Sequence, residues 1–223
     1  MQFELVIFDW DGTLMDSVPK IVNVLKLAAK QCGAAIPTDD AAKSIIGLSL
    51  PTAVAKLFPS DEDKWEALAQ AYKTVYKVGD HTPTPLFTGA NDLLDALAAS
   101  QVQLAVATGK SRTGLNRLMA ETSTEEYFVT TKTADEAQSK PNPDMLNQIL
   151  TMTGVAAEDA IMIGDSLLDI EMAKQAGVAA VGLTHGAATR AALEKTQALA
   201  VLDSLTELGT FLLTEQHIDV EAS

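Results

Sequence analysis

Apolar positions along the chain follow two rhythms. The run FELVIF, residues 3–8, is unbroken and closed by Asp9 and Gly12, the pattern of a buried strand. From about Ser17 to Gln31 the apolar residues Ile21, Val24, Leu25 and Ala28 return on one helical face. Ser17 is a candidate N-cap there, Pro19 suits a first turn, and Gly33 stands just past the end. Further helical stretches are predicted near 38–46, 50–58 and 61–78, with no convincing second strand before residue 100. After HTPTPLFTG the rhythm changes to alternation. Helices are predicted near 90–99, 111–119, 142–152, 167–176 and 204–213. Between them lie the strands VQLAVA (102–107), a short one near 127–131, AIMIG (160–164), VAAVG (178–182) and the segment ALAVL (198–202). Strands alternating with helices imply a parallel sheet with right-handed crossovers. The expected fold is therefore α/β: a Rossmann-like parallel sheet core with helices on both faces, formed by residues 1–15 and 86–223, plus an all-helical cap inserted over 16–85. The tail TEQHIDVEAS is polar and reads as frayed.

Charge sharpens this division. The chain has 16 Lys and Arg against 30 Asp and Glu, a net charge of −14. Residues 16–85 hold 8 basic and 8 acidic residues, so the rest carries the whole excess and 16–85 reads as a separate module. A surface so acidic repels nucleic acid and anionic membrane, and neither is expected as a partner. Any bound anion needs local cations or a metal. The single cysteine, Cys32, excludes a disulfide framework and a Cys-rich zinc site, and reads as a residue at a helix end. No apolar run approaches the ~20 residues of a membrane span. The N-terminal residues lack a basic region and a cleavage site, so a cytoplasmic protein is expected. Length and composition leave the oligomeric state open.

In an open α/β sheet, ligands bind beyond the carboxyl ends of the strands. The first strand ends in Asp9-Trp10-Asp11-Gly12-Thr13-Leu14. Two acids two apart on an extended segment point the same way, and such a pair needs a cation between them or a proton on one. The second strand ends in Thr108-Gly109-Lys110, where a hydroxyl and a glycine amide can hold a phosphoryl oxygen. Lys140 stands in SKPNPD, between prolines that fix its backbone. AIMIG runs into Gly164-Asp165-Ser166-Leu167-Leu168-Asp169, where Asp165 or Ser166 could also serve simply as a helix cap.

The ordered set DxDGTL, Thr108, Lys140 and GDSxxD resembles the four signatures of the haloacid dehalogenase-like hydrolase superfamily, over nearly the whole chain. LFTGANDLLDAL, AVATGKSRTGL, TADEAQSKPNPDML and MIGDSLLDIEMAKQAGVAAVGL are most similar to its phosphoglycolate-phosphatase-like branch. The resemblance implies a Mg²⁺-dependent phosphatase that hydrolyses a small phosphorylated metabolite through an aspartyl-phosphate. It implies Asp9 as nucleophile, Asp11 as acid and base, and a metal held by Asp9, the backbone carbonyl of Asp11 and Asp165. Asp169 would orient the metal's waters, Thr108 and Gly109 would hold the transferring oxygens, and Lys140 would neutralise Asp9 and the phosphoryl group. A carboxylate nucleophile suits this chemistry, because it is ionised at neutral pH without a base.

Trp10 could line the site or pack under the cap. Lys110 and Arg112 open a helix and read as a solvated face, with substrate contact as the alternative. His185 could approach the site from the last core strand, while His81 and His217 are scattered. The superfamily's dehalogenases lack the second acid, which Asp11 supplies here, and its phosphonatases resemble DWAG rather than DWDG. A hexose-phosphate mutase shares all four motifs and stays open. A non-catalytic receiver-like phosphoryl carrier is disfavoured by the 70-residue insert and the acceptor's place in the first strand.

Overall fold

The computed structural model describes residues 3–214. Six parallel strands form one sheet: β1 (Leu5–Phe8), β2 (Gln103–Thr108), β3 (Thr130–Thr133), β4 (Ala160–Gly164), β5 (Ala179–Leu183) and β6 (Ala200–Leu202). Their order is β3-β2-β1-β4-β5-β6, so the chain builds outward from β1 on one side and then restarts at β4 on the other. Both faces of the inner strands β1, β2, β4 and β5 are buried, as their unbroken apolar runs require, while the edge strands β3 and β6 are only partly buried. Val6, Phe8, Leu104, Val106, Ile161 and Ile163 face one core with α5 (Ala90–Ala99), α6 (Arg112–Thr122) and α10 (Leu205–Thr214). Leu5, Ile7, Ala105, Ala107, Ala160 and Met162 face the other with α7 (Asp144–Thr153), α8 (Leu167–Ala176) and α9 (Arg190–Leu193). The sequence pattern missed the four-residue α9, too short to show a period, and placed the strand near 127–131 too early: a 3₁₀ turn occupies Glu125–Tyr127 and the polar strand TTKT follows at Thr130–Thr133.

Between β1 and α5 the chain is helical: α1 (Val18–Gln31), α2 (Asp39–Lys43), α3 (Leu50–Leu57) and α4 (Trp65–Thr74). These helices pack around two small apolar clusters of their own, one on Ile21, Leu25 and Ile45, the other on Val54, Phe58 and Leu68. The stretch predicted as one helix over 61–78 is three pieces. A 3₁₀ turn at Glu62–Lys64 precedes α4, and a π turn at Val75–Gly79 follows it. Cys32 does occupy the C-terminal end of α1. Leu168 and Ala187 of the α/β core lie against the first helical cluster, so the insert packs over the edge of the sheet where β4 and β5 end. The polar tail beyond residue 214, including His217, lies outside the described residues.

Candidate active site

The sheet order places a switch point between β1 and β4, the position at which α/β sheets open a crevice. Register pairs Phe8 with Val106 on one side and with Ile163 on the other. Asp9, Thr108 and Asp165 therefore all lie within two residues beyond one row of paired strand ends. Asp9 donates its backbone N–H to the Ile163 carbonyl at 2.9 Å, which extends the pairing to the nucleophile candidate itself. The chain then turns sharply. Gly12 adopts φ +78°, and a Cβ there would run into the Asp165 carboxylate, so only glycine lets this turn pass so close to the second acid.

Asp9, Asp165 and Asp169 are at most 1% exposed, and one oxygen of each lies within 4.8 Å of the others. Lys140, also 1% exposed, reaches Asp9 Oδ1 at 3.0 Å and Asp169 Oδ1 at 2.6 Å. Burial by itself would lower the Lys140 pKa, but the two carboxylates outweigh it and hold the ammonium charged. Asp9 Oδ1 also accepts the Trp10 N–H at 2.7 Å, whereas Asp9 Oδ2 is shut from solvent with no hydrogen-bond partner. Burial pushes the Asp9 pKa up to about 7, opposed by Lys140 and reinforced by Asp169 and Asp11. Burial raises Asp165 as well, followed by its acidic neighbours Asp169 and Asp9. One lysine does not balance three carboxylates in so dry a place. The unpartnered Asp9 oxygen and the raised acids fit a hard divalent cation.

The α8 junction serves two ends at once. Ser166 caps the helix and forms a reciprocal capping box with Asp169, whose Oδ2 accepts the Ser166 N–H at 3.1 Å and hydroxyl at 2.7 Å. Asp169 is thus held on one oxygen by the cap and on the other by Lys140. Asp165 accepts the Thr13 hydroxyl at 2.9 Å and the Ala187 N–H at 2.6 Å. The capping reading of this motif and the acid-cluster reading are both present, on neighbouring residues.

Asp11 departs from the expectation that the two acids of DxDG point the same way. The backbone beyond Phe8 is a turn rather than extended strand, and the Asp11 carboxylate turns to the Ser17 hydroxyl at 2.5 Å and the Lys110 ammonium at 2.8 Å. Asp11 is outside the three-acid group, so its carboxylate is not one of the gathered oxygens. Ser17 occupies the N-cap position of α1, yet its side chain makes no capping bond, because the hydroxyl is spent on Asp11.

Thr108 is fully buried and Lys110 donates its N–H to the Thr108 hydroxyl at 3.3 Å. Gly109 lies against the backbone of Gly47 and Leu48, where a Cβ would collide with the Gly47 carbonyl. The Ser49 N–H donates to the Ser139 hydroxyl at 2.8 Å, so the loop between α2 and α3 is fastened over the ends of β2 and the Lys140 segment.

Several side readings change. Lys110 is no solvated residue: its side chain is 11% exposed and tied to Asp11. Arg112 is tied to Glu136 and to Thr131 of β3, and to Asn116 one turn along α6. Trp10 neither lines the site nor packs under the insert. It sits in the core below the sheet, against Phe128 at a ring distance of 6.4 Å, with its indole N–H on the Met15 sulfur. His185 does approach the site, at one remove. Its Nε2 lies 3.1 Å from the Thr13 carbonyl, and its ring stacks on Phe87 at 3.9 Å. Sequence reasoning passed over Thr13, Ser17 and Tyr76. Thr13 lies within the DxDGTL motif, but nothing in the sequence signals that Ser17 leaves its cap or that the Tyr76 ring lies over the Lys110 ammonium.

Residues 6–183 match the haloacid dehalogenase-like hydrolase family. The chain belongs to that family. It is 33% identical to a phosphoglycolate phosphatase of Rhodospirillum rubrum, over 93% of this chain and 90% of the relative. It is 29% identical to a phosphoglycolate phosphatase of Vibrio vulnificus, over 93% and 95%. Among solved structures, a haloacid dehalogenase-like family hydrolase from Streptococcus pneumoniae superimposes with a TM-score of 0.81 at 25% identity, covering 95% of this chain and 99% of that one. A protein from Bacteroides vulgatus, named provisionally as a β-phosphoglucomutase, shares the fold at a TM-score of 0.83 and 20% identity, over 96% and 89%. Family and relatives together place the chain among phosphoric monoester hydrolases. Among the described residues, no helix is long and apolar enough to cross a membrane.

Proposed function

We propose that this hydrolase is a Mg²⁺-dependent phosphatase acting on a small, phosphoglycolate-like phosphate ester through a phosphorylated Asp9. The observation that carries the reading is the buried, unpartnered Asp9 Oδ2 beside Asp165, with Lys140 alone to offset three acids. Asp9, Asp165 and the backbone carbonyl of Asp11 would hold Mg²⁺, whose charge would screen the nucleophile from the phosphate dianion and draw electron density from the transferring group. The chain's own groups do the rest. The Asp9 carboxylate attacks phosphorus, and the bond from phosphorus to the leaving oxygen breaks with its electron pair on that oxygen. Asp11 delivers a proton there, then accepts one from the water that splits the aspartyl-phosphate, releasing phosphate and restoring Asp9. The Thr108 hydroxyl and the Gly109 N–H hold phosphoryl oxygens, and Lys140 offsets the charge on both Asp9 and the phosphoryl group. Asp169 keeps Lys140 in place and would orient the metal's waters.

The experiment is hydrolysis of p-nitrophenyl phosphate by protein stripped with EDTA, with and without added Mg²⁺. Mg²⁺ restores many turnovers of phosphate release per Asp9, and acid quenching traps one phosphoryl group on Asp9. Full activity without metal would defeat the proposal. Sustained release of inorganic phosphate also separates this reading from a mutase, which returns the group to a sugar, and from a receiver-like carrier, which turns over once.

A further inference from the structure

The seam between the helical insert and the core holds polar groups that the phosphatase chemistry leaves unused. Lys110 reaches Asp11, yet an ammonium has three donors and Asp11 accepts from one of them. Tyr76 lies over this lysine, with the Lys110 Nζ 5.3 Å from its ring centroid and the Lys20 Nζ at 5.0 Å. Lys20 is committed elsewhere, donating to the Asp80 carbonyl at 3.0 Å. The Tyr76 hydroxyl is shut from solvent and meets the Lys110 ammonium, though not in the geometry of a full hydrogen bond. Burial is the larger influence on it and keeps it protonated, while the nearby Lys110 charge pulls the other way. Tyr72, one helical turn earlier, closes the wall with its ring 5.8 Å from that of Tyr76. Tyr76 stands in the π turn that ends α4, a widened turn that re-aims side chains and recurs at functional sites.

Resting on the reading of Asp11 as the residue that protonates the leaving oxygen, these positions acquire a direction. The leaving oxygen lies at Asp11, so the next atoms of the leaving group lie beside Lys110 and below Tyr76. We propose that Lys110 and Tyr76 together bind an anionic group, a carboxylate, on the far end of the substrate's leaving group and thereby select the substrate. A carboxylate accepts full hydrogen bonds from the ammonium and from the phenol, whereas an alkyl group leaves the two with only their loose mutual contact in a half-buried seam. Such a site discriminates chiefly by rejecting the ligand that cannot satisfy it.

The test compares two esters of similar size, 2-phosphoglycolate and ethyl phosphate, in the wild type and in Tyr76→Phe and Lys110→Met. The wild type prefers the carboxylate ester. Tyr76→Phe lowers the ratio of kcat/KM values about tenfold, the scale of one hydrogen bond to a charged group, and the loss falls in KM. Lys110→Met lowers the ratio further. A residue that merely packs or steadies Asp11 slows both esters alike, and an unchanged ratio in both variants overturns the proposal. A wild type that cleaves both esters with equal efficiency overturns it too, while leaving the phosphatase reading intact. Failure to cleave either ester brings down both. Unchanged melting temperature in Tyr76→Phe, which keeps the ring, confirms that the ratio reports recognition rather than folding.

Discussion

The two sides of the site are built on different terms. On the sheet side, Asp9, Asp165, Asp169 and Lys140 are all but completely buried, and every polar atom but one is claimed by a backbone amide, a hydroxyl or the lysine. On the insert side, Tyr76 and Lys110 are half-buried, the Lys110 ammonium lies 5.3 Å from the Tyr76 ring, and the phenol lacks a well-formed hydrogen bond. The first side is set by strand register and a helix cap, which bring side chains to fixed places whatever the ligand. The second is set by how one packed body meets another. In the proposed mechanism this separates the step common to all phosphate esters from the choice among them.

The largest effect expected from breaking the sheet side is at Asp9. Asp9→Asn keeps an oxygen for the Trp10 amide and the lysine but removes the attacking charge. We expect kcat to fall by at least ~3 decades, the scale on which members of a catalytic unit fail. Steady-state hydrolysis of p-nitrophenyl phosphate measures it, and activity within tenfold of wild type would remove Asp9 from its role.

The same contrast explains what could be read in the sequence. The strands β1, β2 and β4 announce themselves as apolar runs, and their ends carry Asp9, Thr108 and Asp165, so topology alone brings these residues to one edge. Asp169 comes with the resemblance of GDSxxD to the family motif, and the structure adds that it closes a capping box with Ser166. The seam follows from nothing local. Lys110 in ATGK has the composition of a solvated helix start, and Tyr76 lies on a helix whose apolar pattern gives no warning of the π turn. Ser17 had every mark of a cap and serves Asp11 instead. Asp11 points away from Asp9 because extended geometry ends at Phe8 and Gly12 turns the chain. Those contacts depend on the docking of the insert over the core, and no periodicity encodes it.

Asp11 stands on the boundary, carried by the sheet side but paired toward the seam, and it gives the second effect. Asp11→Asn retains an oxygen for Ser17 and Lys110 but can no longer move a proton. An alkoxide leaving group needs that proton, and p-nitrophenolate hardly does. Formation of the Asp9 phosphoryl group should slow about 10²-fold or more for an alkyl phosphate and far less for p-nitrophenyl phosphate. Its breakdown should slow for both, so the intermediate accumulates. Rapid quench with the two substrates reads each step, and equal slowing of formation without accumulation would leave Asp11 a structural residue.

The smallest effect is on stability, and it isolates the charge stored on the sheet side. In the folded, metal-free protein Asp9 holds its proton to about pH 7, whereas an unfolded aspartate releases it near 3.8. A folded-state pKa above the unfolded one means that the associated stability is complete below about 3.8, declines as pH rises, and levels off above about 7. Asp165, raised in the same direction, adds to the slope. His185 opposes it: burial lowers its pKa, so the folded state gains stability as pH rises through the ordinary histidine range. The net pH profile therefore mixes signs, and the difference between wild type and Asp9→Asn separates them. The melting temperature of metal-free wild type should fall relative to Asp9→Asn between pH 5 and pH 8, by about 2–4 °C for each kcal/mol of stability in a chain of this size. Mg²⁺ binds the ionised acids in competition with protons, so a few millimolar should raise the wild-type melting temperature more at pH 8 than at pH 5, and should do little for Asp9→Asn at either pH. Scanning calorimetry at the two pH values decides the matter. Parallel profiles for the two proteins, or a Mg²⁺ shift independent of pH, would mean that the buried acids are balanced without a cation, and the case for a metal at Asp9 would lose its physical ground.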